Sequence, residues 1–273
     1  MSTESNPSQA PAAADLACRL RVVLVGTQHP GNIGSAARAL KTMGLSRLVL
    51  VAPERAPNAE SSALAAGADD LLEAAATFDT LAEAVADCRL VLGCTARSRR
   101  VALEELLPRD ATARIVAAAA EGAEVALVFG RERTGLDNEE LQLCHAAVHI
   151  PANPDYSSLN LAAAVQVLAY EMRLALLASA SPAEPGMQPH QSRGMPHDPP
   201  RDAPATHAQL EGMFAQFGET LDAIDFHKGR APESAMRKLR RLLLRADLDE
   251  REVRLLRGIL SDAQRMAMLA GRR

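Results

Sequence analysis

At 273 residues, with 48% hydrophobic and 23% charged side chains, the chain can bury a sizeable core in one domain and a lesser core in a second. A 3% aromatic content with no Trp argues against an aromatic base-stacking platform, and no apolar run reads as approaching a membrane span. The net charge of −4 is uneven: from Lys228 to Arg273, thirteen Lys and Arg stand against six Asp and Glu, and that surplus of seven leaves −11 on the rest. A basic C-terminal module on an acidic body suggests a polyanionic partner, the alternative being a solvated helix face.

Residues 1–17 are rich in Ser, Pro and Ala, lack a basic-then-apolar signal pattern, and read as a disordered tail. Leu20 to Val25 is a β-branched apolar run, expected as a buried parallel strand. It meets a Gly- and Pro-containing loop from Gly26 to Ser35, followed by a helix over Ala36–Met43 that Gly44 ends. Further strands are expected at Leu48–Val51, Leu90–Gly93, Val125–Phe129 and Ala147–Ile150. Helices are expected at Ser61–Ala76, Thr80–Ala86, Asp110–Ala120, Asn138–His145 and Leu159–Ser179. Strands alternating with helices predict an α/β fold, a parallel sheet with helices on both faces. Residues 181–206 hold seven prolines and no apolar periodicity, as a linker would. Three helical patterns follow, at 208–224, 232–246 and 249–270, forming a small all-helical basic domain over 207–273.

The four cysteines, Cys18, Cys88, Cys94 and Cys144, have no CxxC spacing and read as reduced thiols of a cytoplasmic protein. Gly26-Thr-Gln-His-Pro-Gly31 opens like a P-loop, but Asn32-Ile33 stands where Lys and Ser or Thr are needed. The dinucleotide fingerprint also fails, which disfavours a nicotinamide enzyme, and no metal-ligand cluster is seen. Three polar clusters remain, each at a strand end: Cys94-Thr-Ala-Arg-Ser98, Gly130-Arg-Glu-Arg-Thr-Gly135, and Ile150-Pro-Ala-Asn-Pro-Asp-Tyr-Ser-Ser158. Open parallel sheets bind ligands beyond the carboxyl ends of their strands, so three such loops outweigh any one. Pro151 and Pro154 stiffen the third loop, and Ser157 or Ser158 is expected to cap the helix after it.

Asn32-Ile-Gly-Ser-Ala-Ala-Arg38, Phe129-Gly-Arg-Glu-Arg-Thr-Gly-Leu136 and Ile150-Pro-Ala-Asn-Pro-Asp-Tyr-Ser-Ser-Leu-Asn160 resemble the three motifs of the SPOUT RNA 2′-O-methyltransferases, most closely the TrmJ group. The resemblance covers about Leu20 to Ser179, and the C-terminal helices resemble that group's extension. It implies a C-terminal trefoil knot in the sheet domain (18–180), S-adenosyl-L-methionine as cofactor, and a homodimer with the active site at the subunit interface. It implies methylation of the ribose of the pyrimidine at position 32 in the tRNA anticodon loop.

Cofactor contacts then fall at Cys94, Thr95, Ala96, Gly130, Ile150, Ser157, Ser158 and Leu159. Arg38 is the leading residue for the reaction, as base or as orienting group. Asn32 would orient Arg38 or the ribose, and Arg131 would bind an RNA phosphate. Tyr156 and Ser158 would shape the target pocket and cofactor slot, and Asn160 would fix the loop from the helix start. Lys228, Arg237, Lys238, Arg240, Arg241 and Arg245 would hold the tRNA body. Two rival readings stand beside this one: a SPOUT enzyme acting on ribosomal RNA or another tRNA position, and a non-catalytic RNA-binding protein with the same fold.

Overall fold

The computed structural model describes residues 13–96, 103–180, 203–228 and 232–270. In chain order the elements are α1 (Ala13–Ala17), β1 (Leu20–Val25), α2 (Pro30–Thr42), β2 (Arg47–Val51), α3 (Ala59–Ala65), α4 (Asp69–Glu73), β3 (Ala76–Phe78), α5 (Leu81–Ala84), β4 (Leu90–Cys94), β5 (Glu104–Leu106), α6 (Pro108–Ala120), β6 (Val125–Phe129), α7 (Asn138–Gln142), β7 (Ala146–Val148), α8 (Leu161–Ala180), α9 (His207–Ala223), α10 (Pro232–Arg245) and α11 (Glu250–Ala270). They divide into two compact units, one built on the sheet and one on the last three helices.

The sheet has seven strands in the order β3-β2-β1-β6-β4-β7-β5, and every neighbouring pair is parallel. Sequence reading expects five; the two extra strands are three-residue edges, mostly exposed, and β5 is Glu-Glu-Leu. Short edges resist pairing with other chains, the charged β5 most of all, and neither carries an apolar run to betray it. The inner strands are the opposite. All six residues of β1 and all five of β6 are buried, so both faces of the sheet are covered. Leu20, Val22 and Leu24 of β1 join Leu127 and Phe129 of β6 in a core that includes Ile33 and Leu40 of α2 and Ile115 of α6. On the other face, a side chain at Gly93 would press on Cys144, Leu136 and Leu141.

Helix α8 buries Leu161, Val165, Leu168, Ala169, Met172 and Leu176 in that first core, a stripe with helical spacing. Its stretch Leu161–Ser179, with mean hydropathy 1.5, is long and apolar enough to cross a membrane, contrary to the sequence reading. The run is apolar because it packs against α1, α2 and α6, which a soluble core helix also requires.

Several boundaries move. Helix α2 begins at Pro30 rather than Ala36, because Pro is well placed in a first helical turn and Gly31 and Gly34 are absorbed by the helix. Its early glycine is there for packing: a Cβ on Gly34 would collide with the carbonyl of Ser61 in α3. The helix expected over 61–76 is broken, Ala66 and Gly67 both taking positive φ, and its end becomes β3. The last strand stops at Val148, and α8 starts at Leu161 rather than Leu159. The tail reading fails over Ala13–Ala17, which form α1 with Leu16 and Ala17 buried; residues 1–12 lie outside the described set.

The second unit packs α9, α10 and α11 around Leu210, Met213, Phe214 and Val253, with Met236, Leu243 and Leu256 against them. Thr206 opens α9 with a capping box to Gln209. Most of the linker expected over 181–206 lies outside the described residues. Its last part belongs to this unit: Ala205 is buried, and Glu250 N–H donates to the Ala203 carbonyl at 2.9 Å.

Candidate active site

Strand order assembles the site. β6, β4 and β7 are adjacent, so the loops leaving their carboxyl ends stand in a row although they are far apart in sequence. Thr95 N–H donates to the Val148 carbonyl at 3.0 Å, tying the first of these loops to the third. Together they enclose a cavity of about 460 Å³. Cys94, Thr95, Ala96, Gly130, Ile150, Ser157, Ser158 and Leu159, the eight positions expected to touch cofactor, all line it. Phe129, Leu161 and Ala164 add apolar wall. Arg97 and Ser98 of the first loop lie outside the described residues.

The second loop is a tight turn. Arg131 and Gly135 exchange backbone hydrogen bonds of 3.3 and 2.8 Å, and Gly135 takes φ +67°. A Cβ on Gly130 would strike the backbone of Gly135 and Leu136, so only glycine lets the turn fold back this closely. Arg131 lines the cavity, but its guanidinium sits 3.0 Å from both oxygens of Glu140. The phosphate-binding part expected of Arg131 therefore meets a guanidinium already paired.

Glu132 was not singled out in the sequence, yet it organises the neighbourhood. Its carboxylate accepts from Gln28 N–H (3.0 Å), His29 N–H (3.2 Å) and the Asn32 side-chain amide (2.9 Å). His29, the N-cap of α2, makes no side-chain cap bond; Glu132 instead fixes the backbone that leads into the helix, at Gln28 and His29, and its first turn through the Asn32 side chain. Burial pushes the Glu132 carboxyl up, but the hydrogen bonds from Asn32, Gln28 and His29 outweigh it and hold the group below its ordinary range.

The Asn32 amide is filled at both ends, donating to Glu132 and accepting from Asn160 Nδ2 at 3.2 Å. It bridges two loops, and among the described residues of one chain it makes no hydrogen bond to Arg38. Asn160, not Ser157 or Ser158, caps α8, its Oδ1 accepting from Ala162 and Ala163 N–H. The serines are thereby left to face the cavity. Tyr156 is 82% exposed and does not line the cavity, which departs from the expected pocket-shaping part. Arg38 is exposed on α2, and within one chain it too does not line the cavity.

In the second unit, Lys228, Arg237, Lys238, Arg241 and Arg245 are exposed. Arg240 is not one of this set. It pairs with both oxygens of Glu211, and its guanidinium carbon lies 4.5 Å from the centre of the Phe214 ring. Spacing explains this: Arg240 follows Met236 by one turn and shares the packed face of α10 with Leu243 and Leu244.

The cavity suits a nucleoside-sized ligand. Its size lies in the usual range for such sites. Apolar side chains can grip a base, and the hydroxyls of Thr95, Ser157 and Ser158 offer hydrogen bonds to a sugar or an amino acid moiety. Burial pushes the Cys94 thiol up to about 12, so it stays neutral and does not compete as a nucleophile for an electrophilic methyl group. Among the described residues no group of His, Cys, Asp and Glu is arranged to hold a metal ion.

Comparison with known proteins agrees with this geometry. Residues 19–170 match the family model described as the SpoU rRNA Methylase family. The chain belongs to that family of methyltransferases; it is an enzyme, and its cofactor is S-adenosylmethionine. Its place within the family is the TrmJ group. Residues 208–272 match the TrmJ C-terminal domain. The chain is 48% identical over 250 residues to a tRNA (cytidine/uridine/adenosine-2′-O-)-methyltransferase TrmJ of Pseudomonas aeruginosa, covering 91% of this chain and 95% of that one. It is also 48% identical over 245 residues to the tRNA (cytidine/uridine-2′-O-)-methyltransferase TrmJ of Escherichia coli K12, covering 90% and 95%. A crystal structure of TrmJ from Z. mobilis matches with a TM-score of 0.71 and 34% identity, covering 89% of this chain and 97% of that one.

Proposed function

We propose that this enzyme methylates the ribose 2′-hydroxyl of the pyrimidine at position 32 in the tRNA anticodon loop. One observation carries the reading: all eight expected cofactor positions converge on a single cavity, in a chain about half identical to tRNA 2′-O-methyltransferases over nine-tenths of its length. When bound, S-adenosylmethionine supplies an electrophilic methyl group on its sulfonium.

A ribose hydroxyl is a poor nucleophile at neutral pH, so the protein must hold it in line with that methyl group and favour its ionised form. Arg38 is the residue for this task. A guanidinium stays protonated, so it works as an orienting and charge-stabilising donor to the hydroxyl and the neighbouring phosphate, not as a free base. Since Arg38 does not line the cavity of its own chain, the reading calls for a homodimer with the active site at the subunit interface. Tyr170, Leu174 and Leu177, exposed at helical spacing on α8, offer an apolar face for such a partner.

The relay from Glu132 through Asn32 to Asn160 fixes the start of α2 against the start of α8, and so the first motif against the third. β7 lies between β4 and β5 in the sheet but follows both in sequence, and α8 packs back on α2 and α6. We read this path as the trefoil knot of the catalytic domain. The helical unit holds the tRNA body through Lys228, Arg237, Lys238, Arg241 and Arg245, and the enzyme works in the cytoplasm.

Incubation with labelled S-adenosylmethionine and either bulk tRNA or ribosomal RNA, followed by nucleoside analysis, tests the reaction. The expected products are 2′-O-methylcytidine and 2′-O-methyluridine, with no label entering tRNA that carries deoxyribose at position 32. Label confined to ribosomal RNA, or cofactor binding without transfer to any RNA, would overturn the reading.

A further inference from the structure

We propose that Arg133 contacts a backbone phosphate of the RNA substrate at the mouth of the cavity, the part that sequence resemblance gives to Arg131. The proposal rests on the RNA-methyltransferase reading and refines it. The two arginines stand two residues apart in one turn, and both line the cavity. Their surroundings differ. Arg131 is partly buried, paired with Glu140, and packed so closely over Gly26 that a Cβ there would lie 2.7 Å from its Nε. Arg133 is exposed and has no hydrogen bond or ion pair among the described residues.

The turn itself argues for a purpose. Its base is closed by the two backbone bonds between Arg131 and Gly135. Glu132 is fixed by donors from the segment ahead of α2 and from Asn32 in its first turn, and Leu136 is buried. Arg133 is at the centre of this anchored segment, so its Cα is held while its guanidinium stays open to solvent. A cation presented in this way loses little backbone entropy on binding, and its planar fork suits a phosphate. Charge points the same way. The cavity lining also includes the carboxylates of Glu132 and Asp137, which would repel an approaching polyanion. With Arg131 neutralised by Glu140, Arg133 is the cation in this turn that offsets them.

The test uses the full chain with Arg133→Gln, Arg133→Lys and Arg131→Gln. Bulk tRNA binding is measured by filter retention between about 50 and 200 mM salt. Calorimetry gives the Kd for S-adenosylmethionine alone, and methyl transfer gives KM and kcat separately. Arg133→Gln is expected to raise the KM for tRNA about five- to tenfold and to lessen the salt slope of log K by about 0.7–0.9, with kcat and cofactor Kd within about twofold. Arg133→Lys should recover most of the slope, because it keeps the charge. Arg131→Gln should lower the melting temperature and leave the slope unchanged.

A cofactor Kd that rises in step with an unchanged salt slope would overturn the proposal and assign Arg133 to the cofactor's carboxylate. No change in any of these quantities would reduce it to a solvated side chain. Wild-type protein that binds tRNA without methylating it would remove the proposed reaction, while the slope would still decide the Arg133 contact. Wild-type protein that binds no tRNA removes both.

Discussion

Asn160, at the start of α8, donates its side-chain amide to Asn32 in the first turn of α2, a 3.2 Å bond between residues 128 positions apart. The same Asn160 caps α8 through Oδ1. The two functions can be separated. Asn160→Ala should cost about 1 kcal/mol of stability from the lost cap, measured by urea unfolding, and should also weaken methyl transfer. Asn160→Ser keeps a capping oxygen but cannot reach Asn32 in the same way. It should restore most of the stability and little of the turnover. Equal recovery of both would show that the bond to Asn32 has no part in positioning.

Glu132 holds the start of α2 as an anion. Replacing it by Gln puts an amide N–H₂ among donors, and at neutral pH this should cost about 1–3 kcal/mol. The pH dependence has a definite sign. The folded Glu132 carboxyl lies below its unfolded value, so its stabilisation is present above that unfolded value and is lost as pH falls through the folded one. Urea midpoints of wild type and Glu132→Gln should therefore differ at pH 7 and converge in acid, below about pH 4. A gap that persists undiminished in acid would show that the carboxylate's charge is not what holds the helix start.

Two glycines are fixed by close approach. Gly34 meets the Ser61 carbonyl and Gly130 meets the backbone of Gly135 and Leu136. Gly34→Ala should destabilise the protein by about 3 kcal/mol or more by forcing α2 away from α3. Gly130→Ala should do its damage at the site, opening the turn and abolishing binding of S-adenosylmethionine in calorimetry, with a smaller loss of stability. If Gly130→Ala binds cofactor normally, the turn is not part of the cofactor cradle.

What could be read beforehand follows from which signals are local. Fully buried strands such as Leu20–Val25 announce themselves by apolar runs, and strand-end loops rich in Gly and Ser announce a ligand. That Cys94, Gly130 and Ser157 would line one cavity depends on β6, β4 and β7 being neighbours, which no spacing reveals. Glu132 was hidden between two arginines and looked like one more solvated charge. Its donors, Gln28 N–H, His29 N–H and the Asn32 side chain, lie about a hundred residues away in sequence, which no local pattern shows. Asn160 was as good a cap as Ser157 or Ser158, and its bond across the fold to Asn32 decided the register. β5 was illegible because a charged three-residue edge has no period.

The basic C-terminal face divides by helix geometry. Arg237, Arg241 and Arg245 recur every four residues on the exposed side of α10, with Lys238 beside them. Neutralising all four by Gln should weaken tRNA binding and lower the salt slope by about 3, at little cost to stability. Arg240→Ala should show the reverse. It removes the pair with Glu211 and the contact over Phe214, so it should destabilise the unit by about 1–3 kcal/mol and hardly change the slope. A large change of slope in Arg240→Ala would return that residue to the RNA-binding set.

Arg38 is the sharpest test of the reaction geometry. It is exposed and does not line the cavity of its own chain, so in the proposed reading the partner subunit brings it to the methyl group. Arg38→Ala should reduce methyl transfer by about a thousandfold while leaving the affinity for S-adenosylmethionine within about twofold. Mixing this variant with one that cannot bind cofactor, such as Gly130→Ala, gives a second measurement. Heterodimers should regain activity in one of their two sites, because one subunit keeps an intact cavity and its partner an intact arginine. Absence of any complementation, in mixtures shown to exchange subunits, would place Arg38 and the cavity it serves on the same chain.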